Sequence, residues 1–241
     1  MLNLLRDMWT VLAGRDQRHG PLPPVLLLLT VITGLIDAFS YLSVGHVFVA
    51  NMTGNIVFIA FATAGAAGFS VIASLLALGA FLVGALIGGR VTHRFRDHRG
   101  RMLWATLTLH TVLVVAALVA AAVSRAPYSG SALYLLIALL GLAMGVQNAL
   151  ARSLAVPDLT TTVLTGTLTA LVAEAPESSG VRTARRLLAT AALFIGALVG
   201  AYAALRGWSA LPLLLAVAML GATVGVAYAL ARSRGAWVNP A

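Results

Sequence analysis

The chain has 241 residues, of which 60% are hydrophobic and only 10% charged, with no cysteine and a formal net charge of +9. A water-soluble domain carries about 25% charged residues, so a soluble enzyme or nucleic-acid binder is excluded; the missing thiols exclude disulfides, zinc–thiolate centres and cysteine nucleophiles. The cationic charge is all arginine, 16 Arg and no Lys, set between apolar stretches where orientation in a bilayer accounts for it without nucleic acid.

Residues 1–23 form the first segment. Leu2, Leu5, Met8, Trp9 and Leu12 fall at helical spacing, which predicts an amphipathic helix on the cytoplasmic membrane surface; a loosely ordered tail is the alternative. The first long apolar run begins near Val25 and no small-residue cleavage site follows it, so no cleavable signal is expected. Roughly 20 apolar residues cross a hydrocarbon core about 30 Å thick. Six stretches reach that length: 24–44, 69–89, 102–123, 131–151, 187–205 and 210–230. Two others, 52–66 and 159–173, fall short, and residues 231–241 form a short tail.

Arginine placement decides how the short stretches are threaded. If all eight stretches span with the N-terminus inside, nine arginines fall in the cytoplasm and seven outside, which is little bias. If the two short stretches enter and leave on one side, only Arg125 and Arg206 remain outside and fourteen lie inside. The positive-inside rule selects the second arrangement. The expectation is an all-α polytopic protein of the bacterial inner membrane, with six transmembrane helices, two re-entrant half-helices and both termini cytoplasmic.

The halves repeat each other. Residues 79–89, GAFLVGALIGG, match 191–201, AALFIGALVGA, at an offset of 112, which also carries Thr53-Gly54 onto Thr165-Gly166. At an offset of 111, Gly34-Leu-Ile-Asp37-Ala38 falls on Gly145-Val-Gln-Asn148-Ala149. Two repeats, 24–123 and 131–230, each hold three full spans and one half-span. An odd number of crossings makes them inverted, and discontinuous helices in inverted repeats are a recurring transporter architecture. Architecture alone does not fix function.

Polar residues collect at the breaks. The first reads His46-Val-Phe-Val-Ala-Asn51-Met-Thr53-Gly54-Asn55 and the second Pro157-Asp158-Leu-Thr-Thr-Thr162-Val-Leu-Thr165-Gly166-Thr167. Asn, Asp and Thr cap helix starts, and half-helix N-termini attract negative charge or carbonyl dipoles. Asn51, Thr53, Gly54, Asn55, Thr165, Gly166 and Thr167 are therefore expected to line a small-solute site. Simple capping and interhelical bonding is the alternative. Asp37 lies well inside the first span, where an acid is functional by default; it is a candidate proton carrier, or else a cap for the half-helix amides. Gln147 and its neighbour Asn148, the counterpart of Asp37, complete the candidate set.

Other features carry less. His110 is expected to hydrogen-bond a neighbour rather than bind metal, and His93 and His98 lack metal-site spacing. Arg152 is expected either to pair with Asp158 or to anchor a helix end, and Glu174 and Glu177 to sit in a solvated loop. The GxxxG pairs at 84–88, 141–145, 196–200 and 221–225 suit close helix packing, with homo-oligomerisation open. No Walker loop, dinucleotide fingerprint or hydrolase elbow is present; neither a cofactor, a metal nor catalysis is expected.

The run Gly34-Leu-Ile-Asp37-Ala-Phe-Ser-Tyr, then Phe48-Val-Ala-Asn-Met-Thr-Gly-Asn55, resembles the uncharacterised bacterial membrane family typified by YoaK. Gly145-Val-Gln-Asn-Ala149 and Val163-Leu-Thr-Gly-Thr167 fit that family's second repeat. The resemblance extends from about residue 24 onward and implies an inner-membrane location and six spans, but neither a substrate nor a catalytic residue. The leading functional expectation is a secondary transporter or facilitator of a small solute, with proton coupling through Asp37 open. The alternatives are a membrane scaffold or accessory subunit and, ranked below both, an intramembrane enzyme.

Overall fold

The structure, a computed structural model, describes residues 2–16, 19–162, 164–173, 180–232 and 236–238. Val163, Glu174, Glu177 and two of the counted arginines, Arg18 and Arg234, lie outside the described residues. The described chain is helical: α1 (Leu2–Leu12), α2 (Leu22–Ser43), α3 (Met52–Thr63), α4 (Val71–Arg94), α5 (Arg99–Ser124), α6 (Gly130–Leu154), α7 (Thr165–Ala173), α8 (Gly180–Leu205), α9 (Leu211–Ala231) and a 3-10 turn, Ala236–Val238. Six of these, α2, α4, α5, α6, α8 and α9, are long and apolar enough to cross a membrane. At 1.5 Å per residue, α3 and α7 are about 18 and 14 Å long, well short of a hydrocarbon core.

Local chemistry sets the helix starts. Prolines in the first turn, where their missing N–H costs nothing, open α2 and α9. The Ser70 hydroxyl accepts the Ala73 N–H at the head of α4, and His98 Nδ1 accepts the Arg101 N–H at the head of α5. Four helices outrun their apolar stretches: α4 continues to Arg94 and α6 to Leu154, while α5 begins at Arg99 and α8 at Gly180. Apolar content reports the hydrocarbon layer, whereas a helix continues into the headgroup layer where arginine side chains reach water. In the other direction α7 begins at Thr165 rather than 159, because Asp158 and Thr161 take positive φ, 65° and 63°, and unwind the chain before it.

Contacts fix the running direction of every span. Gly196 and Gly200 of α8 pack on Val31 and Leu35 of α2, and Gly84 and Gly88 of α4 pack on Leu142 and Val146 of α6. Both pairs are therefore parallel. Gly100 meets Leu230, which sets α5 antiparallel to α9. Tyr41 at the end of α2 reaches Phe58 of α3, which stacks on Phe69 just before α4; α2 thus ends where α4 begins, and α3 leaves and returns at that same end. Asp158 after α6 binds Arg186 in α8, so α6 ends where α8 begins. One end of the bundle collects α1, the starts of α2, α5 and α8 and the ends of α4, α6 and α9, and with them the described arginines other than Arg125 and Arg206.

The parallel pairs are glycine seams. A Cβ added at Gly34 would fall on the Leu193 carbonyl and the Ala197 nitrogen, and one at Gly145 on the Phe81 carbonyl and the Ala85 nitrogen. Cβ atoms at Gly84 and Gly196 would fall on the carbonyls of Leu142 and Val31. Such backbone approach is possible only without a side chain. Each contact in one pair has its mate in the other at the 111 or 112 offset. The fourth GxxxG, Gly221 and Gly225, faces open space and belongs to neither seam.

Burial ranks the spans. In α2 and α6, 72% and 56% of the apolar window is enclosed by protein, against 28–33% for the other four. The two enclosed spans carry Asp37 and Gln147-Asn148. Outer faces of the rest present large apolar side chains such as Ile72, Leu82, Leu86, Val119, Phe194 and Leu198, which suits lipid contact: this is a multi-pass membrane protein. The N-terminal helix α1 packs along α8, with Val11 buried and Leu5, Trp9 and Leu12 exposed.

Candidate functional site

The site grows from what the two unwound segments need. After Ser43 the chain turns back into the bundle and runs past Asp37 as a non-helical strand with unpaired backbone N–H groups. At protein-enclosed depth these must find acceptors. Asp37, six residues before the end of α2, supplies them: Oδ1 accepts the N–H of Val49 at 3.0 Å and of Ala50 at 2.9 Å, and Oδ2 accepts the Asn51 side-chain amide at 2.5 Å. Asn55 closes the same turn. Its Oδ1 accepts the Phe48 N–H at 2.9 Å and its Nδ2 donates to the Phe48 carbonyl at 2.5 Å. A Cβ at Gly54 would meet the Phe48 ring at 2.7 Å, so glycine lets that ring lie on the start of α3.

The second unwound segment is held the same way from α6. Asn148 Nδ2 donates to Thr162 Oγ1 at 2.7 Å, and Gln147 Nε2 donates to Thr161 Oγ1 at 3.3 Å and to Thr33 Oγ1 of α2 at 2.8 Å. The pairs Asp37–Asn51 and Asn148–Thr162 are equivalent under the 111 offset. The Gln147–Thr33 bond ties the two central spans together.

Between the breaks lies a cavity of about 380 Å³. Its lining combines the polar side chains of Asn51, Thr53, Asn148, Thr162 and Thr165 with Gly54 and with the apolar Phe48, Phe81 and Leu164. None of the described lining residues is charged. Of the expected site residues, five therefore meet in one place: Asn51, Thr53, Gly54, Asn148 and Thr165. Asp37 stands behind Asn51 and does not line the cavity. Asn55 and Gln147 are fully buried and engaged in structural bonds, Thr167 is buried, and Gly166 is exposed with open space about it.

Six lining residues fall outside the expected set: Phe48, Ala50, Met52, Phe81, Thr162 and Leu164. Phe81 and Thr162 reach the cavity from α4 and from the second break; Thr162 was signalled by its pairing with Asn51 at the 111 offset, whereas nothing marks Phe81 among the apolar residues of α4. Other expectations resolve differently. Asp158 binds Arg186 at 2.9 Å and Arg182 at 3.3 Å, while Arg152 is exposed in the last turn of α6. His110 is fully buried in α5, and among the described residues neither ring nitrogen has the hydrogen-bond partner that was expected. Among the described residues no group of three His, Cys, Asp or Glu side chains could hold a metal.

Comparison with known proteins agrees with the fold. Residues 25–226 match the family model described as "Protein of unknown function (DUF1275)". The chain is 33% identical over 149 residues to UPF0700 transmembrane protein YoaK of Bacillus subtilis (strain 168), a match covering 61% of this chain and 64% of the relative's length. No solved structure matches.

Proposed function

The chain belongs to the DUF1275 family of membrane proteins, and from that premise we propose that it is a secondary transporter or facilitator carrying a small solute across the bacterial inner membrane. The observation that carries the reading is the cavity between two opposed breaks, lined from both halves of the chain at the depth of the two most enclosed spans. Unwound backbone at that depth is tolerated where it is buried or lines a polar cavity, and here it does both.

The equivalence of the α2–α8 and α4–α6 seams supports two inverted repeats, 24–123 and 131–230, related by an axis in the membrane plane. Alternating access by such repeats is rocking of one unit against the other about a central site. Gathering of arginine at one end supports placing that end, with both termini, in the cytoplasm. The charge is consistent with lipid as the surrounding partner and calls for no nucleic acid.

In this reading Asp37 is a positioning residue rather than a proton carrier. Backbone and side-chain N–H donors converge on both its oxygens, and its task is to hold the first break open. In the same reading the cavity is a passage rather than a catalytic centre, its polar lining being carboxamides and hydroxyls.

Uptake of small solutes into liposomes holding the purified protein tests the reading. Saturable uptake that Asn148→Leu reduces supports it. An absence of uptake across charged and neutral solute pools, with the fold intact, overturns it in favour of a scaffold or accessory subunit.

A further inference from the structure

We infer that the solute admitted to the cavity is a small uncharged molecule that presents hydrogen-bond donors, an inference that rests on the transport reading above. Two features of the cavity carry it: its charge and the fixed orientation of one carboxamide.

Consider the charge first. The described lining residues are neutral. Each half-helix N-terminus contributes about half a positive charge, and the Asp37 carboxylate behind Asn51 contributes one negative charge. The sum is near zero, so neither an anion nor a cation finds a counter-charge after losing its water, and an uncompensated ion in such a place is strongly disfavoured. The first break is the less anion-friendly of the two, because the Val49 and Ala50 N–H groups ahead of α3 already point at Asp37.

Polarity gives the rest. A carboxylate oxygen only accepts, so Asn51 must turn its Nδ2 toward Asp37. Its Oδ1, which has no partner among the described residues, is then the atom Asn51 offers to the cavity it lines. Asn148 is under no such compulsion, because the Thr162 hydroxyl both donates and accepts. The site thus has one locked acceptor and one adjustable amide, with Phe48, Phe81 and Leu164 also in its lining. A compact molecule with hydroxyl or N–H donors on a carbon skeleton fits that mixed lining.

The test uses three probes of one skeleton: glycerol, its anionic analogue glycerate and its cationic analogue serinol. Entry into liposomes carrying the purified full chain is followed by light scattering. Glycerol is expected to enter faster than into protein-free liposomes, and Asn51→Leu to slow that entry about tenfold through a lost hydrogen bond and an unpaired solute donor. Should Asn51→Leu fail to fold, Asn148→Leu serves in its place, because its Thr162 partner is a hydroxyl that other groups satisfy.

Asp37→Asn supplies the sharper arm. The substituted amide keeps its oxygen on Val49 and Ala50 and turns its nitrogen toward Asn51, which forces the Asn51 amide to rotate and present N–H groups to the cavity. The variant should gain glycerate entry relative to wild type, while glycerol, whose hydroxyls accept as well as donate, still enters. Wild-type entry of glycerate or serinol in preference to glycerol overturns the neutral-donor inference and leaves transport standing. Unchanged selectivity in a folded Asp37→Asn overturns the orientation argument. No protein-dependent entry of any of the three probes counts against the transport reading, and the inference falls with it.

Discussion

Arg186 of α8 donates to Asp158 at 2.9 Å, with 1% of the arginine side chain exposed, and also to the carbonyl of Ala170 in α7 at 2.7 Å. One cation thereby fastens the second unwound segment and its half-helix to the start of the next span. Beside it Arg185 pairs with Asp16 from the segment ahead of α2. The opposite end is fastened without charge: Tyr41 stacks on Phe48 at 5.0 Å and Phe58 on Phe69 at 5.1 Å. At the 112 offset Ser74 stands where Arg186 does, and Phe58 where Ala170 does. The same architectural joint is ionic at one end and aromatic at the other.

Removing one partner of the ionic joint is therefore expensive. Arg186→Met should lower unfolding stability by about 1.5–3 kcal/mol, the usual worth of a hydrogen bond to a charged group, because Asp158 keeps Arg182 as a partner. Asp158→Asn should cost at least as much: Asn tolerates the positive φ at that position and still accepts a bond, but the carboxylate that Arg186 and Arg182 share is gone. The double variant should cost less than the sum of the two, because each single change removes the same interaction. Thermal unfolding in detergent measures all three; strict additivity would mean that Arg186 and Asp158 do not act together.

The glycine seams predict a contrast between neighbouring positions. A methyl at Gly88 would lie 2.9 Å from Val146 Cα and from Ala149 Cβ, whereas one at Gly89 meets nothing within 4 Å. Gly88→Ala should destabilise by about 1–3 kcal/mol through overpacking, and Gly145→Ala, whose methyl would fall on backbone atoms of α4, by at least as much. Gly89→Ala should be neutral or slightly stabilising, given the helix preference for alanine over glycine. Equal stability of the Gly88 and Gly89 variants would contradict the seam geometry.

How much of this was legible in the sequence follows from what hydropathy and spacing report. Six spans and two half-spans were legible because a hydrocarbon core demands a fixed length of apolar chain. The seam glycines Gly84, Gly145 and Gly196 were legible as repeated motifs, though the idle pair Gly221 and Gly225 has the same spacing and could not be told apart from them. Asp37 stood out as a buried acid, but its partners Val49 and Ala50 depend on how far the chain doubles back, which no local pattern encodes. The late start of α7 was hidden too, since Thr and Asp at 158–162 are common both before helices and within loops. Asn55 and Gln147 looked like site residues because burial depth, not residue type, separates a structural amide from one that faces a cavity.

The bundle directions and the positive-inside rule together predict a labelling pattern. The chain has no cysteine, so single substitutions report without background. In intact cells a membrane-impermeant maleimide should label Arg125→Cys and Arg206→Cys, and should reach Arg96→Cys only after the membrane is opened. Labelling of Arg96→Cys in intact cells would invert the orientation. Labelling of Arg96→Cys and Arg125→Cys from one side would contradict the antiparallel run of α5, which lies between them.

Asn55 and Thr53, two residues apart at the head of α3, should separate structure from function. Asn55 is wholly buried and satisfies both the N–H and the carbonyl of Phe48. Asn55→Ala leaves two backbone groups unpaired at a depth where water does not replace the lost bonds. At about 1–3 kcal/mol for each orphaned group, the total reaches about 2–6 kcal/mol, and the variant should unfold early or fail to accumulate. Thr53 is exposed to the cavity, and Thr53→Val keeps its shape while removing only the hydroxyl. That variant should match wild type in thermal unfolding to within about 0.5 kcal/mol, as surface substitutions do, while its solute uptake changes. A Thr53→Val protein with unaltered uptake would take Thr53 off the solute path. An Asn55→Ala protein as stable as wild type would mean that the first break is not held by the Phe48 bridge, and that the cavity owes its shape to Asp37 alone.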